Sequence, residues 1–401
     1  MINLAIGFDK YLIFIFLIIV FQCLHSISMN SFSKEFLIQL IPYLLVIDPF
    51  LFSEKFFKFI KRYFSHLIFF NLVCALSVLW TTDLKFTLAS NLELFLTSIT
   101  TILIVYYSTK KKFALNQIAK FSLLAIYSII FIGIFTIDID NRTFLGIGPS
   151  LFSSIINYGS VCSLYLLTTT RKNYYLISFC ILFLICLLLG SVRGVLAILI
   201  GLSAYLKIFN SKSEFIFYLK VIFSLILIGF FYLFIIMVID INHPFLNFIP
   251  IEITIKRQLV LNSIYLKSAL TDIFLNNQFD ISNHMYAGER FSSLIIGIRE
   301  TIFKSPIIGF GQGNSKEIFA IYGKSYSHNG IVDVFMGTGF IGLYFYLRFI
   351  LTSIFLSVNN LSDDLLSWKR FSSLVFGIHL MVGLPFESIP LSMILALIIS
   401  V

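Results

Sequence analysis

The sequence predicts an all-α protein: a polytopic membrane helix bundle of about twelve transmembrane helices with one large extracytoplasmic loop. Three observations predict it. Of 401 residues, 58% are hydrophobic and 12% charged, with a mean hydropathy of +0.95, whereas soluble globular chains hold about 45–50% apolar residues. The apolar residues fall in runs close to the ~20 residues that a helix needs to cross a bilayer. Basic residues gather in every second connection, as the Lys/Arg bias of short cytoplasmic loops requires.

The runs lie near 11–29, 36–53, 64–80, 86–107, 117–137, 150–169, 174–190, 193–209, 215–239, 330–356, 371–384 and 386–401. The first, from Tyr11 through Val20 toward Ser28, has no small-residue cleavage site after it, so an uncleaved span is expected. The last two are short enough to form one re-entrant hairpin. Residues 1–239 thus carry helices one to nine, 240–327 the large loop, and 328–401 the last three helices.

Charge sets the orientation. Lys10, the cluster Lys55, Lys58, Lys61 and Arg62, the run Lys110 to Lys112, Arg171 with Lys172, Lys207 with Lys212, and Lys369 with Arg370 all fall on one side. The opposite short loops hold only Lys34, Lys85, Arg142 and Arg193. Both termini are therefore expected in the cytoplasm, and the loop from Asp240 to Ser327 outside it. A connection that long is unlike a plain linker.

The net charge of +9 resides in small clusters between apolar runs, which membrane orientation explains better than nucleic-acid binding. Cys23, Cys74, Cys162, Cys180 and Cys186 lie singly in apolar runs, with no paired-Cys motif and no histidine at ligand spacing. Neither a disulfide nor a metal site is expected, and no cofactor. The chain also lacks HExxH and G-x-S-x-G patterns.

The candidate chemistry begins at Ser327-His328-Asn329-Gly330, where a long polar loop meets a spanning helix. His328 can act as a general base near neutral pH, or be an interfacial histidine bonded to a carbonyl. Asn329 can orient a ring or a sugar hydroxyl. Arg193, in Gly190-Ser191-Val192-Arg193-Gly194, stands in a tight turn at the membrane plane. It suits phosphate oxygens, with snorkelling to the interface as the plain alternative.

Arg290 and Arg299 lie in an expected loop helix and point to opposite faces at about 100° per residue. Arg290 is the better substrate candidate, Arg299 beside Glu300 the weaker, and Arg142 in Asp140-Asn141-Arg142 weaker still. Gly309-Phe310-Gly311-Gln312-Gly313 lacks the Lys-Ser/Thr ending of a nucleotide-binding loop and reads as a flexible loop near the substrate. Asp48, Glu93, His379 and Glu387 are scattered polar groups in or near apolar runs. They read mainly as hydrogen bonders in helix packing, Glu387 being the one to watch.

Taken together, these residues resemble the O-antigen polymerase and ligase family of bacterial envelope glycosyltransferases. His328-Asn329, nine residues, then Gly339-x-x-Gly342 fits that family's histidine motif. An arginine turn like Ser191-Val192-Arg193-Gly194 agrees, as does Arg290 about 16 residues before Pro306-x-x-Gly309-x-Gly311. Val192 stands where many members have the arginine directly after the serine.

The resemblance implies a GT-C-like, metal-independent glycosyl transfer on the periplasmic face of a bacterial inner membrane, from a glycan on undecaprenyl pyrophosphate. In that scheme His328 takes the proton of the attacking sugar hydroxyl, and Arg193 and Arg290 hold the pyrophosphate. Asn329, Arg299 and Arg142 are the substrate-binding candidates.

A polymerase extends another lipid-linked repeat unit, whereas a ligase transfers the chain to lipid A core. The short interval from Gly313 to His328 favours the polymerase. A chain-length regulator is a conceivable partner of either. A transporter of lipid-linked oligosaccharide is the alternative from a different class, and predicts charged residues along a central path.

Overall fold

The computed structural model describes residues 13–14, 16–18, 53–110, 114–134, 137–138, 143–144, 149–188, 192–206, 216, 287–321, 329–355, 361–381 and 389–401. The expected spans 36–53 and 215–239, most of 11–29, and the loop from 240 to 286 lie outside these residues. So do Asp48, Arg142, His328 and Glu387.

The described architecture is all-helical but for one antiparallel pair of two-residue strands, β1 (Ile137–Asp138) and β2 (Thr143–Phe144). Among the described residues, three segments are long and apolar enough to cross a membrane: Thr87–Thr109, Ala114–Gly133 and Gly330–Phe355. They belong to α3 (Leu84–Lys110), α4 (Ala114–Ile134) and α10 (Gly330–Phe355).

A bent pair comes before them. Helix α1 (Glu54–Tyr63) meets α2 (Ser65–Leu76, prolonged by a 3-10 turn to Leu79) at 85°. Residues 54–63 fall between two expected spans. They form a helix because Ser53 accepts a hydrogen bond from the Phe56 amide at 3.3 Å, with Glu54 in the first turn and Lys61 and Arg62 in the last.

The apolar face of α1 stacks on the far end of α3, with the Phe56 and Tyr106 rings 4.8 Å apart. Its Lys55, Lys58, Lys61 and Arg62 are exposed. Helix α2 lies along α10 through Phe64 and Phe349, Phe69 and Phe345, and Phe70 and Tyr346, whose rings are 5.0–5.9 Å apart.

The centre of the bundle is built by α5 (Pro149–Thr170), α6 (Tyr174–Leu188), α7 (Val192–Tyr205) and α11 (Asp363–Met381), with α12 (Ile389–Ser400) against α3. Among the described helices, α7 and α11 pack most extensively. Gly201 permits it, since a Cβ there would stand 2.7 Å from the Phe371 ring.

Helix α11 begins at Asp363, eight residues ahead of the expected span at 371. Ser362, whose hydroxyl accepts from the Leu365 amide, and Asp363 with Asp364 in the first turn favour that start. The earlier start carries Trp368, Lys369 and Arg370 into the buried interior. There the Trp368 indole donates to the Val161 carbonyl at 2.9 Å.

Candidate functional site

Two glycine-bearing stretches that are separate in sequence form a single joint. Helix α8 (Ala287–Lys304) leads into the turn 305–314 and the short α9 (Ser315–Ile321). The turn lies on a break inside α10, where Gly339 takes φ +62°. At this break α10 cannot bond to itself, and the turn supplies the partners.

Phe310 N donates to Met336 O at 2.7 Å and Gly311 N to Gly337 O at 3.0 Å. In the other direction, Phe340 N donates to Pro306 O at 2.8 Å and Ile341 N to Ile307 O at 3.2 Å. Gly309, with φ +70°, leaves no room for a Cβ, which would stand 2.5 Å from Thr338 N. The expectation of a flexible loop at 309–313 is thus replaced by a docked turn, because main-chain donors and acceptors freed on both sides satisfy one another.

The turn is also held from the α2–α3 side. Gln312 N donates to Ser77 Oγ at 3.0 Å. Asn314 Nδ2 donates to Thr81 Oγ1 and, at 2.8 Å, to Phe310 O. Thr81 and Thr87 share a 2.6 Å hydroxyl contact, and Thr82 donates to Glu317. Sequence reasoning missed this polar set, since single threonines at a helix entry carry no pattern.

Asn329 joins two helix ends. Its Oδ1 accepts from Ile331 N at 3.0 Å and Val332 N at 3.1 Å, capping α10, while Nδ2 donates to Met381 O at 2.9 Å at the end of α11. Both a donor and an acceptor are needed, which the amide provides and a carboxylate does not. The side chain that the sequence offered as a substrate contact therefore carries a structural duty at that position.

The last turn of α11 then leads to the arginine. His379 is fully buried, and its Nε2 lies 2.8 Å from Asn157 Nδ2. Asn157, on α5, donates to the Gly194 carbonyl at 2.9 Å, and its Oδ1 faces Cys186 Sγ at 3.7 Å. Gly194 is pressed close enough that a Cβ would meet Cys186 Sγ at 2.7 Å and Ser153 Cβ at 2.8 Å. Arg193, buried at the start of α7, lies within electrostatic reach of the His379 ring. Snorkelling into solvent does not describe a side chain only 7% exposed.

Arg193 and Asn329, far apart in sequence, are thus tied to the same helix end at His379 and Met381. Arg290 lies in the first turn of α8. Arg299 is exposed on α8, whose buried face is Ser293, Ile296, Gly297, Glu300 and Thr301. Gly297 brings that face onto Val332 and Met336 of α10. Among the described residues, no three His, Cys, Asp or Glu side chains gather as metal ligands would.

No family model matches the chain, and no curated protein matches it.

Proposed function

We propose that the chain is a membrane glycosyltransferase that polymerises lipid-linked glycan, moving a glycan from undecaprenyl pyrophosphate to a sugar hydroxyl of another lipid-linked repeat unit. His328 is the general base of that transfer, and Arg193 with Arg290 holds the pyrophosphate and offsets charge on the leaving group. The full frame is about twelve spans of GT-C-like arrangement in a bacterial inner membrane, with both termini cytoplasmic and the site on the periplasmic face.

One observation carries the reading. The turn of the Pro-x-x-Gly-x-Gly pattern is locked to the glycine break of the histidine pattern, and Asn329, next to His328, is tied through α11 to the Arg193 cluster. Three stretches singled out for one chemistry are joined at one end of one bundle. Such a buried arginine suits a lipid-borne phosphate at the membrane surface.

The test is turnover on purified lipid-linked repeat units. His328→Ala and Arg193→Ala are expected to leave the protein membrane-inserted and to lower turnover at least about 100-fold, the contribution of a general base or of charge stabilisation. Near-normal turnover in either variant sinks the reading. Deletion of the gene separates polymerase from ligase: core capped by a single repeat unit indicates the first, and uncapped core with accumulated lipid-linked polymer the second.

A transporter of lipid-linked oligosaccharide is the second reading. It is favoured by the buried Lys369, Arg370, Ser372, Ser373 and His379 along α11. Movement of labelled lipid-linked sugar across proteoliposomes without new glycosidic bonds would select it.

A further inference from the structure

Helix α1 divides its residues by charge around its axis. At about 100° per residue, Glu54, Lys55, Lys58, Lys61 and Arg62 occupy an arc of about 120°, and Phe56, Phe59, Ile60 and Tyr63 lie opposite. The aromatic side is taken up by the bundle, since the Phe56 and Phe59 rings stand 4.8 and 5.2 Å from that of Tyr106. The charged side is exposed. Its one acid, Glu54, pairs with Lys58 at 2.6 Å, with the two side chains 80% and 75% exposed. Arg62 is steadied 5.2 Å over the Tyr63 ring, a contact that leaves its charge in place. A face that only met water would carry mixed signs laced in i, i+4 pairs. Four cations and one acid in ten residues suit an anionic surface instead.

The position of the helix says which surface. Tyr106 lies three residues before the end of Thr87–Thr109, a segment long and apolar enough to cross a membrane, so α1 packs where that segment leaves the hydrocarbon. Helix α2 runs along α10, and α1 meets α2 at 85°, so α1 lies across the end of the bundle. Phe57, at the edge of the charged arc, is 57% exposed. An aromatic ring at that edge suits the acyl boundary, and lysine stems beside it reach headgroup phosphates. The phosphates of the bilayer's own lipids stand at this level, and a soluble acidic partner would have to displace them.

We propose that α1 is an interfacial helix that binds anionic phospholipid, with Lys55, Lys61 and Arg62 holding the phosphodiester headgroups of the leaflet on its side. The contact is independent of the transfer chemistry proposed above and of which leaflet it is.

The experiment is native mass spectrometry of the full-length protein in a non-ionic detergent. It is titrated with dioleoyl phosphatidylglycerol and, as a zwitterionic control with the same chains, dioleoyl phosphatidylcholine. Wild type is expected to bind the anionic lipid about tenfold more tightly, since a Lys or Arg near anionic headgroups is worth about a fivefold factor. Lys55→Gln/Lys61→Gln/Arg62→Gln should bring phosphatidylglycerol to within about twofold of phosphatidylcholine, whose own binding stays unmoved. Lys55→Arg/Lys61→Arg keeps the charge and should stay within about twofold of wild type, as should Lys85→Gln at the opposite end of α3.

Equal affinity of wild type for the two lipids overturns the proposal and leaves the face to a soluble acidic partner. A preference that survives in the triple variant overturns it as well, because the lipid is then held elsewhere on the chain. So does a loss in Lys85→Gln as large as in the triple variant, which would make net charge the cause. If the triple variant fails to give a monodisperse particle, Lys55→Gln/Lys61→Gln is read against the arginine pair in the same way, with an expected loss of about threefold or more.

Discussion

A Cβ on Gly339 would stand 2.3 Å from both the carbonyl carbon and the carbonyl oxygen of Ile307, so these two residues meet main chain to main chain. The contact depends on the absence of a side chain and on a φ of +62° that other residues adopt only at a cost.

Gly339→Ala therefore separates the turn from α10. Strain and clash together are expected to cost about 2–4 kcal/mol. Gly342→Ala brings a clash without the strained φ, since its Cβ would stand 2.0 Å from Thr338 Oγ1 and 2.3 Å from Thr338 Cβ. Gly377 has nothing within 4 Å of its Cβ position, and Gly377→Ala should be neutral or gain up to about 1 kcal/mol from helix propensity. Melting of the three variants in detergent, followed by fluorescence-detected size exclusion, should rank them in that order.

Asn329→Asp keeps the acceptor that caps α10 and loses the donor to Met381. Asn329→Ala loses both. The alanine variant should be less stable by about 1–2 kcal/mol, with the aspartate variant nearer wild type. If the two melt alike, the α10 cap is not what holds this corner.

Gly194→Ala drives a methyl into Cys186 and Ser153, pushing the start of α7 away from α5 and α6. Overpacking of this kind costs about 1–3 kcal/mol. Since Arg193 is the neighbouring residue, turnover on purified lipid-linked repeat units should fall together with stability. Loss of stability with unchanged turnover would detach the arginine from the packing that surrounds it.

The exposed Arg171–Asp364 pair joins the end of α5 to the start of α11. Solvent-exposed pairs contribute about 0–1 kcal/mol. Asp364→Asn should shift the melting temperature little, and less still in high salt.

Single cysteines at Thr82 and Lys58, both exposed, report the membrane faces in a background lacking the native cysteines. An impermeant maleimide applied to intact cells should label position 82 and spare position 58. The reverse pattern would invert the orientation derived from the basic clusters.

Much of the helical frame was legible because hydropathy runs and span lengths are properties of contiguous sequence. Residues 330–355 and 114–134 follow the expected runs closely. The amphipathic α1 was hidden as a basic connection, its aromatic face becoming meaningful only against Tyr106. The glycines of the joint were visible, yet their partners were not, since main-chain hydrogen bonds leave no side-chain signature. The partner of His379 was hidden because Asn157, whose amide meets its ring, lies 222 positions away.

Helix α3 is a depth gauge. Near its start Thr87 meets Thr81, in the group that holds the docked turn, and toward its other end Tyr106 meets Phe56 of the charged crosswise helix. At 1.5 Å per residue the interval between Thr87 and Tyr106 is about 29 Å, close to the ~30 Å of a bilayer's hydrocarbon layer. The basic helix and the docked turn therefore stand one hydrocarbon thickness apart. A lipid whose headgroup reached the turn would run its tail back along α3 toward the lysines.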